Sequence, residues 1–546
     1  MKLKYVDFHC HTTLHPFSKY QTIDSHKTKK RDKVSLWKQI PPFGNNPSSR
    51  ALFFTQSDLT SMSEGGVKIA LTAMYAFEQG WFRILKRNKN SEQKFLFKKM
   101  KQLEPENLKL QATKNVKVAE KDGVSVESHF QDFIRKIFWG FKVLHEKLRK
   151  RVVQVLSPQY NYRNELIAEL NFLENKCLTK NGITPKIPKS NFEFLKFLEE
   201  PSTMIIISTI EGANGFIDGN DETIENGKVN FGRDIKDEKG NVISHGIIDT
   251  IEKIKREHKV FFVTLSHHFY NGFSGHSQSI YGSSRAAIDQ MFGKGNTINE
   301  NGQKIIACLL GIGEFKDNGY RILIDTKHLS LAARMQYCSF IENYNKANPD
   351  DIIPIITSHS AFAGQDKIGD IGIISGDYSS YEINIATEEI VAIYNSKGII
   401  GINFDQDVLS EKPKKTKTDD WNDEQWAALI ADNLMGMVEA FFDFKNTDDI
   451  SQYKDIWKLF AIGSDFDGFI NPMDNFATAA KFPNLEKALI RVLPKYQNFE
   501  KFSFDYSAKE IVKMFMRQNA IDFLKKHYMT KPENIFSAAN DTEKPA

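Results

Sequence analysis

The chain has 546 residues, 41% of them apolar and 26% charged, which is enough for one large core with appendages or for two to three ordinary domains. A formal charge of +4 from 73 basic and 69 acidic groups gives no basis for a nucleic-acid partner. No uninterrupted apolar run reaches the ~18 residues that a membrane-spanning helix needs. Cys10, Cys177, Cys308 and Cys338 form neither a CxxC pair nor a disulfide framework, which fits a reducing compartment. The opening MKLKYVDF lacks the apolar stretch and cleavage site of a signal peptide. A cytoplasmic protein without a membrane partner is therefore expected.

In chain order, short apolar runs recur at 4–9 (KYVDFH), 203–212, 260–268, 320–328, 352–360, 398–404 and 458–468. They are rich in Ile and Val without clean alternation, the pattern of parallel strands buried on both faces. Segments 64–82, 332–347, 386–396, 424–443 and 506–525 read as covering helices. Together they predict an α/β fold, a TIM-type (β/α)8 barrel with a large helical insertion. The barrel is assigned to 1–82 and 197–530, and the Lys/Glu-rich stretch 83–196 to the mainly helical insertion. The polar stretch 217–244 reads as a further loop insertion, and 531–546 as a flexible tail.

Strands of such a barrel deliver the residues at their C-terminal ends to one face. Here those ends carry His9 and His11 in VDFHCH, Glu211 in TIEGANG, His267 and His268 in TLSHHFYN, His328 in IDTKHLS, His359 in ITSHS, and Asp465 with Asp467 in GSDFDGF. In a strand His9 and His11 face one way and Cys10 the other, so the pair can grip one ion and Cys10 reads as a core thiol. Each group alone has an ordinary reading, a capping histidine or a turn-forming aspartate. Jointly they supply the imidazole and carboxylate ligands of zinc, in number sufficient for two ions sharing a carboxylate.

Read in order, EGGVKIALTAMY, IEG, LSH, DTKH, SHS and GSDFDG, then FPNLEKAL and RQNAIDFL, resemble the renal or membrane dipeptidase family, peptidase family M19 of the amidohydrolase superfamily. The resemblance spans 1–82 and about 197–525. It implies a barrel with two Zn2+ ions: His9 and His11 on one, Glu211 bridging, His328 and His359 on the other, and Asp465 both contacting the first ion and moving protons. His267 matches the family's substrate-facing histidine, which polarises the scissile carbonyl or stabilises its oxyanion. His268, Asn271, Arg285, Asp325 and Asn384 are candidates for substrate contact or for supporting the ligands, as is Asp7. Asp467 is read as structural.

Two departures stand out. The family's first motif is His-x-Asp, whereas this chain has His9-Cys10-His11, an exchange that makes the first site more positive. The family's Arg-Asn pair, whose arginine binds the substrate carboxylate, aligns with Ile383-Asn384 in YEINIATEEI, and a neutral side chain cannot reproduce the arginine fork. Lys367 and Arg285 are the local substitutes. The expected function is zinc-dependent hydrolysis of a small amide or peptide bond by metal-bound hydroxide, a dipeptide by default, in a chain for which the family suggests a homodimer. The alternative is a metal-binding scaffold on the same barrel. A phosphoesterase lacks a local Arg/Lys cluster.

Overall fold

A computed structural model describes residues 2–42, 54–82, 145–281, 288–317, 319–366, 377–446 and 449–530. Most of the expected insertion (83–144), Arg285, Lys367 and the tail 531–546 lie outside the described residues.

A nine-stranded sheet contains a path of eight strands in sequential order: β1 (Tyr5–Cys10), β2 (Val67–Met74), β3 (Thr203–Glu211), β4 (Phe262–Thr264), β5 (Leu323–Asp325), β6 (Ile356–Ser360), β7 (Ile399–Ile402) and β8 (Phe460–Ile462). Each pairs in parallel with the next, through registers such as Ile69↔Ile205, Glu211↔Thr264 and Ile402↔Ile462. A short strand, Thr184–Lys186, adds to the start of β3. All residues of the eight strands are buried, which explains why the sequence shows apolar runs rather than alternation. The ring closes beyond the end of β8: Cys10 bridges Phe466 in parallel, Asp465 N donates to the His9 carbonyl at 2.9 Å and His11 N to the Phe466 carbonyl at 2.8 Å. The Asp7 carboxylate accepts Ser464 N at 3.1 Å and Ser464 Oγ at 2.6 Å, pinning the same seam.

Helices return the chain between strands: α1 (Tyr162–Lys176), α2 (Ile247–Glu257), α3 (Glu300–Leu310), α4 (Leu331–Ala347), α5 (Thr387–Asn395), α6 (Asp423–Lys445), α7 (Phe482–Val492) and α8 (Asn519–His527). In α2 the buried Ile247, Ile248, Ile251 and Ile254 form the stripe expected of a helix laid on a sheet. The start of α6 is fixed by the Asn422 side chain, which accepts from Glu424 N and Gln425 N. Helix α1 falls within 83–196 and is tied to the barrel by Glu169, which accepts Thr13 Oγ1 at 2.6 Å and Tyr75 N at 2.8 Å.

The assignment of 64–82 to a helix is corrected: Val67–Met74 is β2, paired with β1 on one side and β3 on the other. VKIALTAM is buried throughout and carries Ala, Leu and Met, so neither alternation nor composition separates strand from helix. The short helix that precedes it, Leu59–Gly65, ends at Gly66 with φ 74°, a left-handed stop suited to glycine.

Close strand approach beneath the site depends on Gly463. A Cβ there would lie 2.0 Å from the Ser358 carbonyl and 3.0 Å from Gly401 Cα, so only glycine lets the chain leaving β8 pass this close to the backbone of β6 and β7.

Candidate metal centre

The candidate ligands come together at the ends of six different strands, around Glu211. His11 Nε2 lies 2.9 Å from Glu211 Oε2; His9, His267, His328 and His359 place Nε2 at 3.6, 3.6, 3.4 and 3.4 Å from Oε1. Asp465 Oδ1 is 3.7 Å from His9 Nε2 and 3.5 Å from His11 Nε2, with Oδ2 at 3.9 Å from His359 Nε2. The His9 and His359 rings stack at 3.9 Å, and His328 Nε2 approaches His359 Nε2 at 3.2 Å. Cys10 points away: its Sγ lies 3.5 Å from the Leu71 carbonyl.

Two members of the group are held in uncommon backbone states. His328 has φ 65° and Asp465 φ 60°, and such left-handed non-glycine residues cost roughly 1–3 kcal/mol each. The seam hydrogen bonds to His9 and Phe466 keep Asp465 in place against that cost.

Buried atoms at the shared centre lack a hydrogen-bond partner, His9 Nε2 and Glu211 Oε1 among them, 3.6 Å apart. Buried polar atoms are normally paired, and lone pairs that face one another across ~3–4 Å are what a bound cation satisfies. Among the described residues three sets bring their ligand atoms within 4.8 Å of one another: His9, Glu211 and His359; His9, His11 and Asp465; and His267, His268 and His328. The residues therefore fit one or more metal ions.

Burial pushes His9 and His328 down to about 3, and His359 and His268 well below the usual imidazole range. These rings are neutral, the form that ligates metal. Burial opposes ionisation of Glu211, yet the His267 and His11 rings beside it hold its carboxyl well below the normal range. For His11 burial is outweighed by Glu211 and Asp465, which raise it to about 10. Asp465 is raised, first by burial and then by the Glu211 charge.

A second ring of contacts orients the first. Glu78 Oε2 faces His267 Nδ1 at 3.0 Å, and its other oxygen accepts Phe269 N at 3.1 Å. Ser358 Oγ lies 2.8 Å from His359 Nδ1 and donates to Asp325 Oδ2 at 2.6 Å, linking a buried carboxylate to a candidate ligand. Asp325 also accepts Thr264 Oγ1 at 2.6 Å. Asn403 Nδ2 reaches Asp465 Oδ2 at 3.4 Å.

Of the remaining expected residues, only His268 shares a ligand set with these groups among the described residues. Asn271 organises the loop after β4 by donating to the Leu265 carbonyl at 2.7 Å, and Asn384 Nδ2 donates to the Ser379 and Val408 carbonyls. His268 sets Nδ1 2.7 Å from Ser279 Oγ, with its ring 4.6 Å from that of Trp81. Asp467 receives Ser57 N and Oγ at 2.8 and 2.7 Å, a structural role. Asp7 serves the seam rather than a histidine ring.

Sequence reasoning misses Glu78, Ser358, Asn403 and Lys327. Glu78 lies in the stretch read as a helix, Ser358 in ITSHS, and Lys327 beside His328 in DTKH. Lys327 is buried and donates to the Ile383 carbonyl at 3.2 Å; burial lowers its ammonium to about 8.

No family model and no curated protein matches the sequence. Solved structures do. A metallopeptidase from Rhodobacter sphaeroides, crystallised with a phosphinate mimic of the dipeptide L-Ala-D-Ala, aligns at TM-score 0.50 and 13% identity over 97% of this chain and 100% of its own. A dipeptidase described as a family M19 metallopeptidase aligns at 0.49 and 13%, over the same shares. The probable dipeptidase PvdM of Pseudomonas aeruginosa aligns at 0.42 and 13%, over 88% and 90%. At such identities the first of these likenesses speaks to the barrel fold. No helix among the described residues is long and apolar enough to cross a membrane.

Proposed function

We propose that this barrel is a zinc-dependent hydrolase of a small amide or peptide bond, with a dipeptide as the default substrate and membership of the M19-like group as the best family reading. The observation that carries it is the convergence of five histidines and Asp465 on one buried carboxylate, Glu211, with lone pairs left unpartnered. The fold neighbour solved with a dipeptide mimic supports the substrate class. Two ions would be held by His9, His11 and Asp465 and by His328 and His359, with Glu211 between them. When bound, such ions supply Lewis acidity at a carbonyl oxygen and acidify water.

The chain's own groups do the rest. Asp465 is 8% exposed, reachable from the site and oriented by Asn403; its raised pKa suits a group that takes a proton from the attacking water and returns it to the departing amine. His267, braced by Glu78 at Nδ1, turns Nε2 to the scissile carbonyl. Lys327 supplies the positive charge for a substrate carboxylate: its Nζ is anchored on the carbonyl of Ile383, the residue that aligns with the expected arginine. A point charge without the bidentate fork favours weaker and less discriminating carboxylate binding.

The test is turnover of L,L- and L,D-dipeptides, N-acyl amino acids and simple lactams by zinc-loaded protein, against an Asp465→Asn control matched for zinc. Zinc-dependent cleavage lost in the control is expected. Silence across the panel with zinc bound would sink the hydrolase and favour the scaffold reading.

A further inference from the structure

His267, His268 and His328 form a three-imidazole set that the two-ion arrangement does not use as such, with ligand atoms within 4.8 Å of one another. Their ring centroids lie 3.6 Å (His267 to His268), 4.6 Å (His267 to His328) and 5.1 Å (His268 to His328) apart. Consecutive residues of a strand would point to opposite faces, but His267 and His268 follow the last residue of β4, Thr264, where the chain no longer alternates. Both rings are secured from behind: Glu78 faces His267 Nδ1 at 3.0 Å and Ser279 Oγ faces His268 Nδ1 at 2.7 Å. Each leaves Nε2 for a ligand.

His328 provides the independent sign that something is meant to bind. Its Nε2 faces Glu211 Oε1 at 3.4 Å, while Nδ1, in a buried residue, has no hydrogen-bond partner. No described residue offers the second nitrogen a proton or takes one from it, which is costly for a buried polar atom.

We infer that His267, His268 and His328 bind a further zinc-type ion, and that its occupancy is inhibitory. Three imidazoles are a sufficient protein ligand set for zinc, with water as the fourth ligand. The inhibitory consequence rests on the hydrolase reading. Nε2 of His267 carries a proton when it supports the developing oxyanion and a free lone pair when it ligates metal. One nitrogen cannot do both. The ion is the weakest bound of the three, because it shares His328 with the Glu211 group, which the Nε2 of that ring faces at 3.4 Å. The site therefore reports excess metal, filling only after the first two ions are in place.

The experiment is a Zn2+ titration of the full chain against a competing chromophoric chelator, repeated with His268→Gln, His268→Asn and Ser279→Ala, with circular dichroism to establish folding. The wild type is expected to take up two tight equivalents and one weaker one. Both His268 variants should stop at two. Ser279→Ala, which leaves all three histidines in place, should weaken the last equivalent about tenfold. On a cleaved substrate, wild-type turnover should fall as the third equivalent binds, while each His268 variant should hold its own maximum. A wild type that stops at two equivalents, or His268 variants whose isotherms match the wild type, would overturn the inference. Three equivalents in the wild type, two in the variants and no cleavage of any substrate would uphold the site and defeat the hydrolase reading instead.

Discussion

Replacing Glu78 by Gln removes one charge from behind His267 while keeping the side chain's shape. The carboxylate takes four contacts: His267 Nδ1 at 3.0 Å, Tyr75 OH at 3.1 Å and His268 N at 3.4 Å on one oxygen, and Phe269 N at 3.1 Å on the other. A Gln that keeps its oxygen towards His267 turns its NH2 against Phe269 N, so one backbone donor is orphaned and the His267 contact becomes neutral. Hydrogen bonds to charged groups contribute about 1.5–3 kcal/mol and neutral ones about 0.5–1.5, so the loss at His267 is about 1–2 kcal/mol. Felt in the transition state, that is a ~5- to 30-fold fall in kcat and in kcat/KM, with KM little changed. Burial lowers the His267 pKa, but Glu211 and Glu78 outweigh it and raise it above the ordinary value. Since the protonated ring is the active form and is lost as pH rises, removing the Glu78 charge should start the alkaline fall in kcat/KM at lower pH. Steady-state kinetics across pH on the best-cleaved dipeptide, at equal zinc content, measures both effects. A kcat/KM within twofold of wild type with an unmoved alkaline limb would refute this assignment of Glu78.

Ser358→Ala cuts the link between Asp325 and His359 and should weaken zinc binding ~10- to 100-fold in a chelator competition; unchanged affinity would remove Asp325 from the metal site. Glu169 is raised to about 7, mainly by burial. Its stabilising contribution is full below the unfolded carboxyl pKa of ~4.3 and is lost as pH rises through about 7. Glu169→Gln should therefore flatten the loss of stability between about pH 5 and 8 by up to ~3 kcal/mol, read from urea midpoints; parallel wild-type and variant curves would exclude it. Glu389→Ala leaves the buried Arg334 guanidinium, now 2.6 Å from Glu389 Oε1, without its counter-charge. It should cost about 3–5 kcal/mol by the same measurement, and a cost below about 1 kcal/mol would show that the Arg334 bonds to the Leu329 and Glu382 carbonyls suffice.

Most of the barrel was legible because its strands are buried on both faces and end in polar groups, a pairing of signals that helices do not produce. β2 escaped since VKIALTAM carries no β-branched excess and no polar ligand at its end, so nothing in it opposed a helix. The ligand candidates were legible through type and order: His9, His11, Glu211, His328, His359 and Asp465 each close an apolar run, and the fold brings them to one point. What supports them was not. Glu78 reaches His267 across 189 positions of sequence and Asn403 reaches Asp465 across 62, pairings that only the closed ring creates. Lys327 was hidden differently: a lysine beside a histidine reads as solvated surface until burial under Ile383 is seen. The left-handed backbone of His328 and Asp465 likewise has no sequence signal, because neither residue is glycine.

The most direct measurement is the zinc content of the purified chain and of Glu211→Gln after dialysis against a low, buffered zinc concentration, by elemental analysis. Two equivalents per chain in the wild type and no more than one in the variant are expected, since Glu211 is the carboxylate around which both sets of imidazoles are arranged. A wild type that retains none, or a variant that retains the same two, would contradict a shared-carboxylate metal centre.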